Sequence, residues 1–321
     1  MKAIVCPTYG SPDVLSLRDV AIPLPADNEV RIRIHAAVVT PADCAFRKAD
    51  PAAIRLMYGL ARPKYPIIGV ELAGVIESIG KDVTQFKTGD CIFGISPRRF
   101  GAYAEYVCLP EDAPLVVKPA NLTFEEAVGI CDGALTSLIF LRDVAKIQRG
   151  QSLLVNGASG AVGAYAVQLA AFLGADVTGV CSTPNVELVQ SLGARQVIDY
   201  TQSDFTRSGP YDVIFDAVGK SSFSRCKQTL HPGGTYLSTV PTPAMLFQAA
   251  WTSIGTGKKA KFTAAGLRQN KENLLFLKTL AESGGIRPVI DRRYPLERIV
   301  DAHRYVETGR KRGNVIITVE D

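Results

Sequence analysis

A glycine-rich turn between an apolar run and a run of small residues places the tightest limit on how this chain can fold. The stretch is residues 152–173, SLLVNGASGAVGAYAVQLAAFL. Residues 152–156 have the length and apolar character of a buried strand, and residues 164–173 suit a helix packed on a sheet. Three glycines separate them at intervals of three: Gly157, Gly160 and Gly163. The stretch predicts a strand, a tight turn and a helix of a parallel α/β sheet.

The same glycines have the spacing of a dinucleotide fingerprint. Counted back from Gly163, the turn reads Ala158-x-Gly160-x-x-Gly163, with alanine at the first glycine position. Such a turn lets backbone N–H groups approach a phosphate closely, and the helix N-terminus adds partial positive charge. Because the flanking strand and helix are both present, the stretch predicts dinucleotide binding. The alternative is a glycine-rich strand–helix turn with no ligand.

Length and composition bound the class of protein. The 321 residues are enough for two domains, and the apolar fraction of 47% and charged fraction of 21% are typical of a soluble globular protein. The formal net charge of +5 suits an anionic small ligand, but it is too small and too dispersed to indicate nucleic-acid binding. The densest basic cluster, residues 310–312, is interpreted as a solvated turn. We therefore expect a small-molecule partner and no nucleic acid.

The cysteines and the N-terminus bear on the compartment. The seven cysteines are scattered, with no CxxC pair, at Cys6, Cys44, Cys91, Cys108, Cys131, Cys181 and Cys226. This pattern argues against a disulfide framework or a structural zinc site, and it fits a reducing cytosol. The opening MKAIVCPTYG has no long apolar segment, so we expect no signal peptide, no membrane span and a cytoplasmic location.

Residues 1–122 are rich in predicted strands with glycine bends. The predicted strands are Lys2–Cys6, Val30–Val39, Ile67–Ile79, Cys91–Ile95 and Ala102–Leu109. Residues 40–43, Thr-Pro-Ala-Asp, predict a polar turn after the second of them. Many strands and few long helices predict a partly closed barrel.

The pattern changes near residue 123. Thr123-x-x-Glu126 is a capping-box signature that predicts a helix start, and from residue 152 strands and helices alternate. The predicted helices are 135–147, 185–192, 222–230, 271–281 and 296–306, and the predicted strands are 177–181, 196–199, 213–217, 234–240, 287–290 and 315–319. Alternation predicts a parallel sheet with helices on both faces. We assign 123–264 to a dinucleotide-binding domain, and 1–122 with 265–321 to a second domain.

The end of the second predicted strand bears on the choice of dinucleotide. NAD-binding sites of this design place an acidic residue there, where it binds the ribose 2′-hydroxyl. Here the strand ends at Ser182 and Thr183, while Asp176 lies at its beginning and Glu187 lies in the following helix. Hydroxyls and the Asn185 amide would accept a 2′-phosphate without charge repulsion, so the sequence predicts NADPH with a large preference over NADH. Helix capping by Ser182 or Thr183 is the alternative role.

Several segments taken together resemble a known family over the whole length of the chain. They are MKAIVCPTYGSPDVL, VVTPADCAFR, IIGVELAGVIESIG, FKTGDCIFG, GAYAEYV, LLVNGASGAVGAYAVQLA, LGARQVIDYTQSDF and YDVIFDAVG. They resemble the medium-chain dehydrogenase/reductase superfamily, in its zinc-independent quinone oxidoreductase-like and enoyl reductase-like branch. The resemblance implies an α/β protein with a GroES-like, partly open β-barrel domain and an inserted doubly wound Rossmann domain. It also implies a cleft between them that holds the nicotinamide, and a homodimer formed through the edge of the Rossmann sheet.

The resemblance also bears on metal binding. Zinc-dependent members bind catalytic metal through a cysteine and a histidine at positions that here are Thr40 and Val70. Cys131 lies near the third ligand position, but one cysteine does not hold zinc without partners. Glu71 remains, as a structural or hydrogen-bonding residue, and the four-cysteine structural zinc loop is missing. We therefore expect no metal.

Family roles transferred residue by residue give a cofactor site. The pyrophosphate is expected at Ser159, Gly160, Ala161 and Val162. The 2′-phosphate is expected at Ser182, Asn185 and Tyr200, although many relatives have a basic residue at the position of Pro184. The remaining expected contacts are Thr136 at the nicotinamide ribose, Val218 and Gly219 at the adenosine, Val240 at the nicotinamide, and Asn314 closing the cleft. For Thr136 and Asn314 the alternatives are a helix hydroxyl and a turn asparagine.

The implied chemistry is hydride transfer from NADPH to a quinone or to the activated C=C bond of an α,β-unsaturated carbonyl. Tyr58 resembles the tyrosine proton donor of some enoyl reductases, and an ordinary half-buried tyrosine is the alternative. Ala45 stands where many quinone reductases have a tyrosine, which weakens the quinone assignment. Loops 46–65 and 94–101 are expected to select the substrate, and segment 241–259 is expected to form an apolar lid or a dimer contact.

Two other functions remain open from the sequence. One is an enoyl reductase dedicated to a particular biosynthetic pathway, and the other is a non-catalytic NADPH-binding protein. The glycine turn and the absence of a broad basic face favour the enzyme.

Overall fold

The structure is a computed structural model that describes residues 1–319, apart from the side chain of Met57. The chain divides into two compact units. Unit 1 comprises Met1–Asp132, Asn270–Glu282 and the segment from Pro288 onward, and unit 2 comprises Gly133–Gln269 and Ser283–Arg287.

These bounds differ from the domain limits predicted at 122/123 and 264/265. Residues 123–132 belong to unit 1, because their side chains and backbone form hydrogen bonds with other residues of that unit. The Cys131 thiol lies 3.5 Å from the Gly94 carbonyl oxygen, and the Gly129 carbonyl accepts from Asn314 at 2.9 Å.

The strands and helices alternate differently in the two parts of the chain. The strands are β1 (Lys2–Val5), β2 (Ser16–Asp19), β3 (Glu29–Val39), β4 (Glu71–Ile79), β5 (Cys91–Ile95), β6 (Tyr106–Pro110), β7 (Leu115–Val117), β8 (Ser152–Asn156), β9 (Asp176–Cys181), β10 (Gln196–Asp199), β11 (Tyr211–Asp216), β12 (Leu230–Ser238), β13 (Lys259–Lys261), β14 (Ile290–Pro295) and β15 (Asn314–Thr318). The α-helices are α1 (Pro41–Lys48), α2 (Ile54–Tyr58), α3 (Phe124–Leu138), α4 (Ala161–Phe172), α5 (Val186–Ser191), α6 (Phe223–Cys226), α7 (Pro243–Ser253), α8 (Lys271–Glu282) and α9 (Ile299–Glu307).

Unit 1 is built on a seven-stranded sheet with the order β14-β15-β3-β4-β5-β7, in which β6 also pairs with β3. Its pairs are antiparallel except β14 with β15. The alternation in β3 explains its place at the centre, because Val30, Ile32 and Ile34 are buried in the core.

Unit 2 is built on a six-stranded, wholly parallel sheet with the order β10-β9-β8-β11-β12-β13. Numbered from β8, this is the order 3-2-1-4-5-6 of a doubly wound dinucleotide-binding fold. The predicted Rossmann domain is therefore confirmed. The order reverses between β8 and β11, and ligands of such sheets bind at the carboxyl ends of the strands at that point.

The structure confirms the helix start predicted at Thr123, and it has a helix start where the sequence predicts a turn. The capping box at Thr123 is confirmed, because the Thr123 N–H donates to the Glu126 carboxylate and the Glu126 N–H donates to the Thr123 hydroxyl. The turn predicted at 40–43 is instead the start of α1. Thr40 and Asp43 form a second capping box there, and proline is well suited to the first position of a helix.

Other predicted elements shift along the chain. The strand predicted at Ile67–Ile79 begins only at Glu71, after the left-handed Gly69, and the strand predicted at 102–109 begins at Tyr106. The strand predicted at 287–290 lies at β14 instead, beyond Pro288, which has no N–H to donate to a ladder. Within residues 1–319, no helix is long and apolar enough to cross a membrane.

Candidate active site

The turn between β8 and α4 is held by backbone hydrogen bonds at the carboxyl end of β8. The N–H groups of Gly157 and Ala158 both donate to the Val180 carbonyl of β9, at 3.1 and 3.0 Å, and the Gly160 N–H donates to the Gly157 carbonyl at 3.0 Å. Gly157 has a φ of 81°, a left-handed conformation that favours glycine. The turn is therefore fixed before any ligand arrives.

The other two glycines have different physical roles. A Cβ at position 163 would lie 2.1 Å from the Gly157 carbonyl oxygen, so Gly163 is required for helix α4 to pack against the turn. A Cβ at Gly160 would meet no atom closer than 3.4 Å, so the surface over Gly160 is open. The first N–H groups of α4 have no partner within the helix. An open backbone at a helix N-terminus fits a pyrophosphate, and residues 159–162 lie at this one.

Asp216, at the carboxyl end of β11, organises the neighbouring loop and was not predicted. Its buried carboxylate accepts the backbone N–H groups of Val218, Gly219 and Ser221 at 3.3, 3.0 and 2.8 Å. It also accepts the Tyr236 hydroxyl at 3.0 Å. Its place in the motif YDVIFDAVG was the signal in the sequence.

The two predicted valines lie at the same edge of the sheet. Val218 is 40% exposed and Val240 is 38% exposed. The Val218 side chain fills the space that a Cβ on Gly157 would occupy. The Val240 side chain fills the space that a Cβ on Gly219 would occupy. The predicted adenosine and nicotinamide residues of unit 2 thus line one edge with the glycine turn.

The predicted 2′-phosphate residues lie at the same end of the unit 2 sheet. The Asn185 amide donates to the Ser182 hydroxyl at 3.1 Å, and Tyr200 follows β10 with its backbone N–H on the Cys181 carbonyl at 3.0 Å. The Tyr200 side chain is 58% exposed. The three residues therefore follow the carboxyl ends of β9 and β10, and a contact of their side chains with a 2′-phosphate stays a prediction.

The second predicted strand ends without an acid, as expected, but the strand beside it ends in a carboxylate. Asp199, the last residue of β10, pairs in register with Cys181 of β9. Its carboxylate accepts the Thr183 hydroxyl at 2.5 Å and the Thr201 hydroxyl at 2.7 Å. The acid thus comes from β10, the parallel neighbour of the second strand, and not from the second strand itself.

The structure gives Thr136 and Asn314 different surroundings. Thr136 is buried in α3. Asn314 is 3% exposed, and its amide donates to the Gly129 and Val289 carbonyls at 2.9 and 3.2 Å. These bonds tie β15 to other parts of unit 1. A contact of either residue with a cofactor stays a prediction.

Tyr58 belongs to an aromatic cluster that joins the two loops expected to select the substrate. Its ring makes edge contacts with Phe46 and Phe100, with centroids 4.8 and 5.2 Å apart, and Phe46 and Phe100 are themselves 5.1 Å apart. Tyr65 lies 6.2 Å from Phe100. Burial raises the pKa of Tyr58 above its ordinary value, so its hydroxyl keeps its proton at neutral pH.

Comparison with known proteins agrees with this geometry. Residues 26–120 match the alcohol dehydrogenase GroES-like domain, and residues 192–317 match the zinc-binding dehydrogenase family. The chain is 33% identical to 2-methylene-furan-3-one reductase of Solanum lycopersicum, over 99% of this chain and 79% of the relative. The chain belongs to the medium-chain dehydrogenase/reductase superfamily, in its quinone oxidoreductase-like branch.

Further similarities support this assignment and the GroES-like fold of unit 1. The chain is 30% identical to the chloroplastic NADPH-dependent alkenal/one oxidoreductase of Arabidopsis thaliana, over 99% of this chain and 79% of the relative. The solved quinone oxidoreductase of Coxiella burnetii superimposes with a TM-score of 0.88 at 30% identity, covering 100% of this chain and 99% of that one. The protein is an oxidoreductase that uses a nicotinamide cofactor.

The positions that hold catalytic zinc in other members of the superfamily do not fit a metal here. The Thr40 hydroxyl donates to the Asp43 carboxylate at 2.7 Å, and Val70 has no ligand atom. Burial raises the pKa of the Cys131 thiol well above its ordinary value, whereas zinc binding requires a thiolate. Over residues 1–319, no group of three or more His, Cys, Asp or Glu side chains is arranged to hold a metal ion.

Acidic side chains lie beside those positions in unit 1. Glu71 is 2% exposed, and burial together with the charges of Asp132 and Asp43 raises its pKa well above the ordinary value. Burial lowers the pKa of Lys311 to about 8, while the nearby Glu71 carboxyl opposes that change. A structural or hydrogen-bonding role for Glu71 stays a prediction.

Proposed function

We propose that this protein transfers hydride from NADPH to a quinone or to the activated C=C bond of an α,β-unsaturated carbonyl, without zinc. The observation that carries the proposal is the open backbone over Gly160, at the point where the strand order of unit 2 reverses. The names of the relatives support the acceptor class, since one reduces a methylene-furanone and another is an NADPH-dependent alkenal/one oxidoreductase.

Different residues of unit 2 would bind different parts of the cofactor. The backbone from Ser159 to Val162 would hold the pyrophosphate, and Ser182, Asn185 and Tyr200 would surround the 2′-phosphate. When bound, the nicotinamide supplies the hydride. The loop fixed by Asp216 would keep Val218 and the backbone around it in place against the adenosine.

In unit 1, Tyr58 is the candidate that would deliver a proton to the reduced acceptor. Its neutral phenol can donate a hydrogen bond to a developing enolate. A Tyr58→Phe variant that lowers kcat at least tenfold with enones, while leaving KM for NADPH within twofold, would support this role. Phe46→Leu, which disturbs the same aromatic cluster without touching a hydroxyl, is the control.

The assay that tests the function follows the loss of absorbance of reduced nicotinamide with a panel of quinones, enones and enals. Turnover of enones or quinones supports the proposal, and activity confined to acyl-thioester enoyl substrates would favour a pathway-specific enoyl reductase. NADPH binding by calorimetry with no turnover of any acceptor would favour a non-catalytic NADPH-binding protein. Tightly bound zinc at one equivalent per chain would contradict the zinc-free proposal.

Assembly and location are further parts of the proposal. A homodimer is supported by the resemblance and by the position of β13 at an edge of the unit 2 sheet. On α7, Phe247 is 68% and Trp251 is 73% exposed, which fits an apolar contact with a second copy. Light scattering of the purified protein tests the dimer. The seven unpaired cysteines support a reducing compartment such as the cytoplasm.

A further inference from the structure

A carboxylate lies where the proposed cofactor site would receive the ribose 2′-substituent. The hydroxyl of Thr183, two residues after the end of β9, donates to Oδ2 of Asp199 at 2.5 Å. On the other oxygen, Oδ1, Asp199 accepts the hydroxyl and the backbone N–H of Thr201 at 2.7 and 2.9 Å. The amide of Gln202 donates to Oδ2 at 3.1 Å. Asp199 is thus fixed in position by four hydrogen bonds.

These bonds determine both the charge and the donors that a ligand would meet. Hydrogen bonds from Thr183 and Thr201 hold the pKa of Asp199 below its ordinary value, so the group is ionised at neutral pH. Each threonine hydroxyl has a single proton, and it donates that proton to a hydrogen bond with Asp199. Neither one can therefore donate to a phosphate while the carboxylate is present.

The residues that directly follow β9 and β10 carry no basic side chain. Arg207 lines the same cavity as Asp199, where hydrogen bonds from Thr206 and the charge of Arg207 lower the pKa of Asp204. Residues 182–185 and 200–204 contain no lysine or arginine. Arg195 is the nearest basic residue along the chain, and it pairs with Asp176 at 2.8 Å, at the beginning of β9 and thus at the other end of the strand from Thr183. A 2′-phosphate in this place would meet a fixed negative charge, whereas a 2′-hydroxyl could donate to it.

We infer that Asp199 is a specificity-determining residue, which disfavours the 2′-phosphate of NADPH and lets NADH compete for the same site. This inference rests on the proposed cofactor site. It predicts a smaller preference for NADPH over NADH than the large one that the sequence alone predicts. Repulsion between a carboxylate and a phosphate a few ångströms apart at a protein surface changes a binding constant by about tenfold.

The test measures binding rather than turnover, with two probes that differ only in the 2′-phosphate. Adenosine 2′,5′-bisphosphate and adenosine 5′-monophosphate are titrated by calorimetry into the full-length wild type and into Asp199→Asn. The variant is expected to bind the bisphosphate about tenfold more tightly and the monophosphate within twofold of wild type. The ratio of kcat/KM for NADPH to that for NADH is expected to rise by a similar factor.

Asp176→Asn is the matched control. Asp176 lies at the beginning of β9, at the other end of the strand from the proposed site, and pairs with Arg195 at 2.8 Å. The same change of charge there is expected to leave the ratio of the two probes within twofold. Asp199→Ser also removes the charge but has a smaller side chain, so it replaces the asparagine variant if that variant folds poorly. It is expected to shift the ratio of affinities for the two probes in the same direction.

The outcomes separate this inference from the function on which it rests. The role of Asp199 is overturned if both Asp199 variants bind the bisphosphate and the monophosphate with the same ratio of affinities as wild type. It is also overturned if that ratio shifts in favour of the monophosphate. Neither result would contradict the proposed cofactor site. If wild-type protein binds neither probe, the proposed cofactor site is wrong, and this inference falls with it.

Discussion

The side-chain amide of Asn156 donates to the carboxylate of Asp216 across 3.0 Å, and the two residues face each other in register at the carboxyl ends of β8 and β11. This bond crosses the point where the strand order of unit 2 reverses. It couples the glycine turn that follows β8 to the loop that follows β11. Asp216 is completely buried, so its partners decide whether its charge is tolerated there.

Replacing Asp216 with alanine is expected to destabilise unit 2 and to weaken cofactor binding together. The change leaves the backbone N–H groups of Val218, Gly219 and Ser221 and the Tyr236 hydroxyl without their acceptor. Unsatisfied buried donors cost about 1–3 kcal/mol each, so we expect a loss of about 3 kcal/mol or more in urea unfolding. The Kd for adenosine 5′-monophosphate is expected to rise at least fivefold.

Asp212→Ala is the control, because Asp212 lies at the other end of β11. It accepts the backbone N–H and hydroxyl of Ser152 at 2.8 and 2.9 Å, so its loss also costs stability. Ligand affinity of the folded protein is expected to stay within twofold. Equal losses of affinity in the two variants would show that Asp216 acts only through stability.

Alanine substitutions at two glycines of the turn are expected to separate folding from binding. Gly160→Ala should fold normally, because its backbone has a φ of −77° and a ψ of 171° and its Cβ would meet nothing closer than 3.4 Å. The added methyl group would stand where a pyrophosphate must approach, so we expect the Kd for NADPH to rise at least tenfold.

Gly163→Ala should behave in the opposite way. Its Cβ would lie 2.1 Å from the Gly157 carbonyl oxygen, and the backbone has to move to make room. We expect a loss of about 1–3 kcal/mol in urea unfolding. If Gly160→Ala bound NADPH as tightly as wild type, the turn would not be the phosphate site.

The parts of the fold that the sequence predicts well are those specified by neighbours in the chain. Glycine spacing, the capping box at Thr123 and the alternation after residue 152 are local signals, and they are enough for the parallel sheet. Helix α1 was missed because Pro41 was interpreted as a turn residue, although proline also suits the first turn of a helix.

The interactions that sequence analysis missed join residues that are distant in the chain. Asp199 reaches Thr183 across 16 residues, and Asp216 reaches Asn156 across 60. Their meeting depends on strand order and register, which no local pattern fixes. The ion pair between Arg47 and Glu307 spans 260 residues and has no sequence signal at all.

Arg47→Met is expected to destabilise unit 1 strongly. Arg47 is completely buried, and it pairs with Glu307, donates to the Gly10 carbonyl and donates to Nδ1 of His303 at 3.3 Å. The change leaves the Gly10 carbonyl and Nδ1 of His303 without their donor, while Glu307 keeps Lys48 as a partner. An unsatisfied buried group costs about 1–3 kcal/mol, so we expect a loss of about 2–4 kcal/mol in urea unfolding.

Lys48→Met removes the second cation that pairs with Glu307, at 3.0 Å, from a side chain that is 42% exposed. A partly exposed pair of this kind contributes less than about 1 kcal/mol, so the variant should unfold close to wild type. Similar losses in Arg47→Met and Lys48→Met would mean that the burial of Arg47 adds nothing.

The stability of the protein in acid is expected to depend on His303. This histidine is completely buried, and burial together with the charge of Arg47 lowers its pKa to about 3 from an ordinary 6.5. Between these two values the unfolded chain holds one proton more than the folded chain. The contribution of His303 to stability is therefore fully present above pH 6.5 and is lost as the pH falls toward 3.

Comparison with His303→Gln isolates this contribution. Glutamine can still accept the bond from Arg47 but does not titrate, so the stability of wild type relative to the variant should fall by about 1.4 kcal/mol per pH unit between pH 6 and pH 4. Burial raises the pKa of Asp43 to about 6, which gives a slope of opposite sign in the same range, but it acts in both proteins and cancels in the difference. Parallel plots of unfolding free energy against pH would show that His303 does not take up a proton on unfolding, because it is already charged in the folded protein.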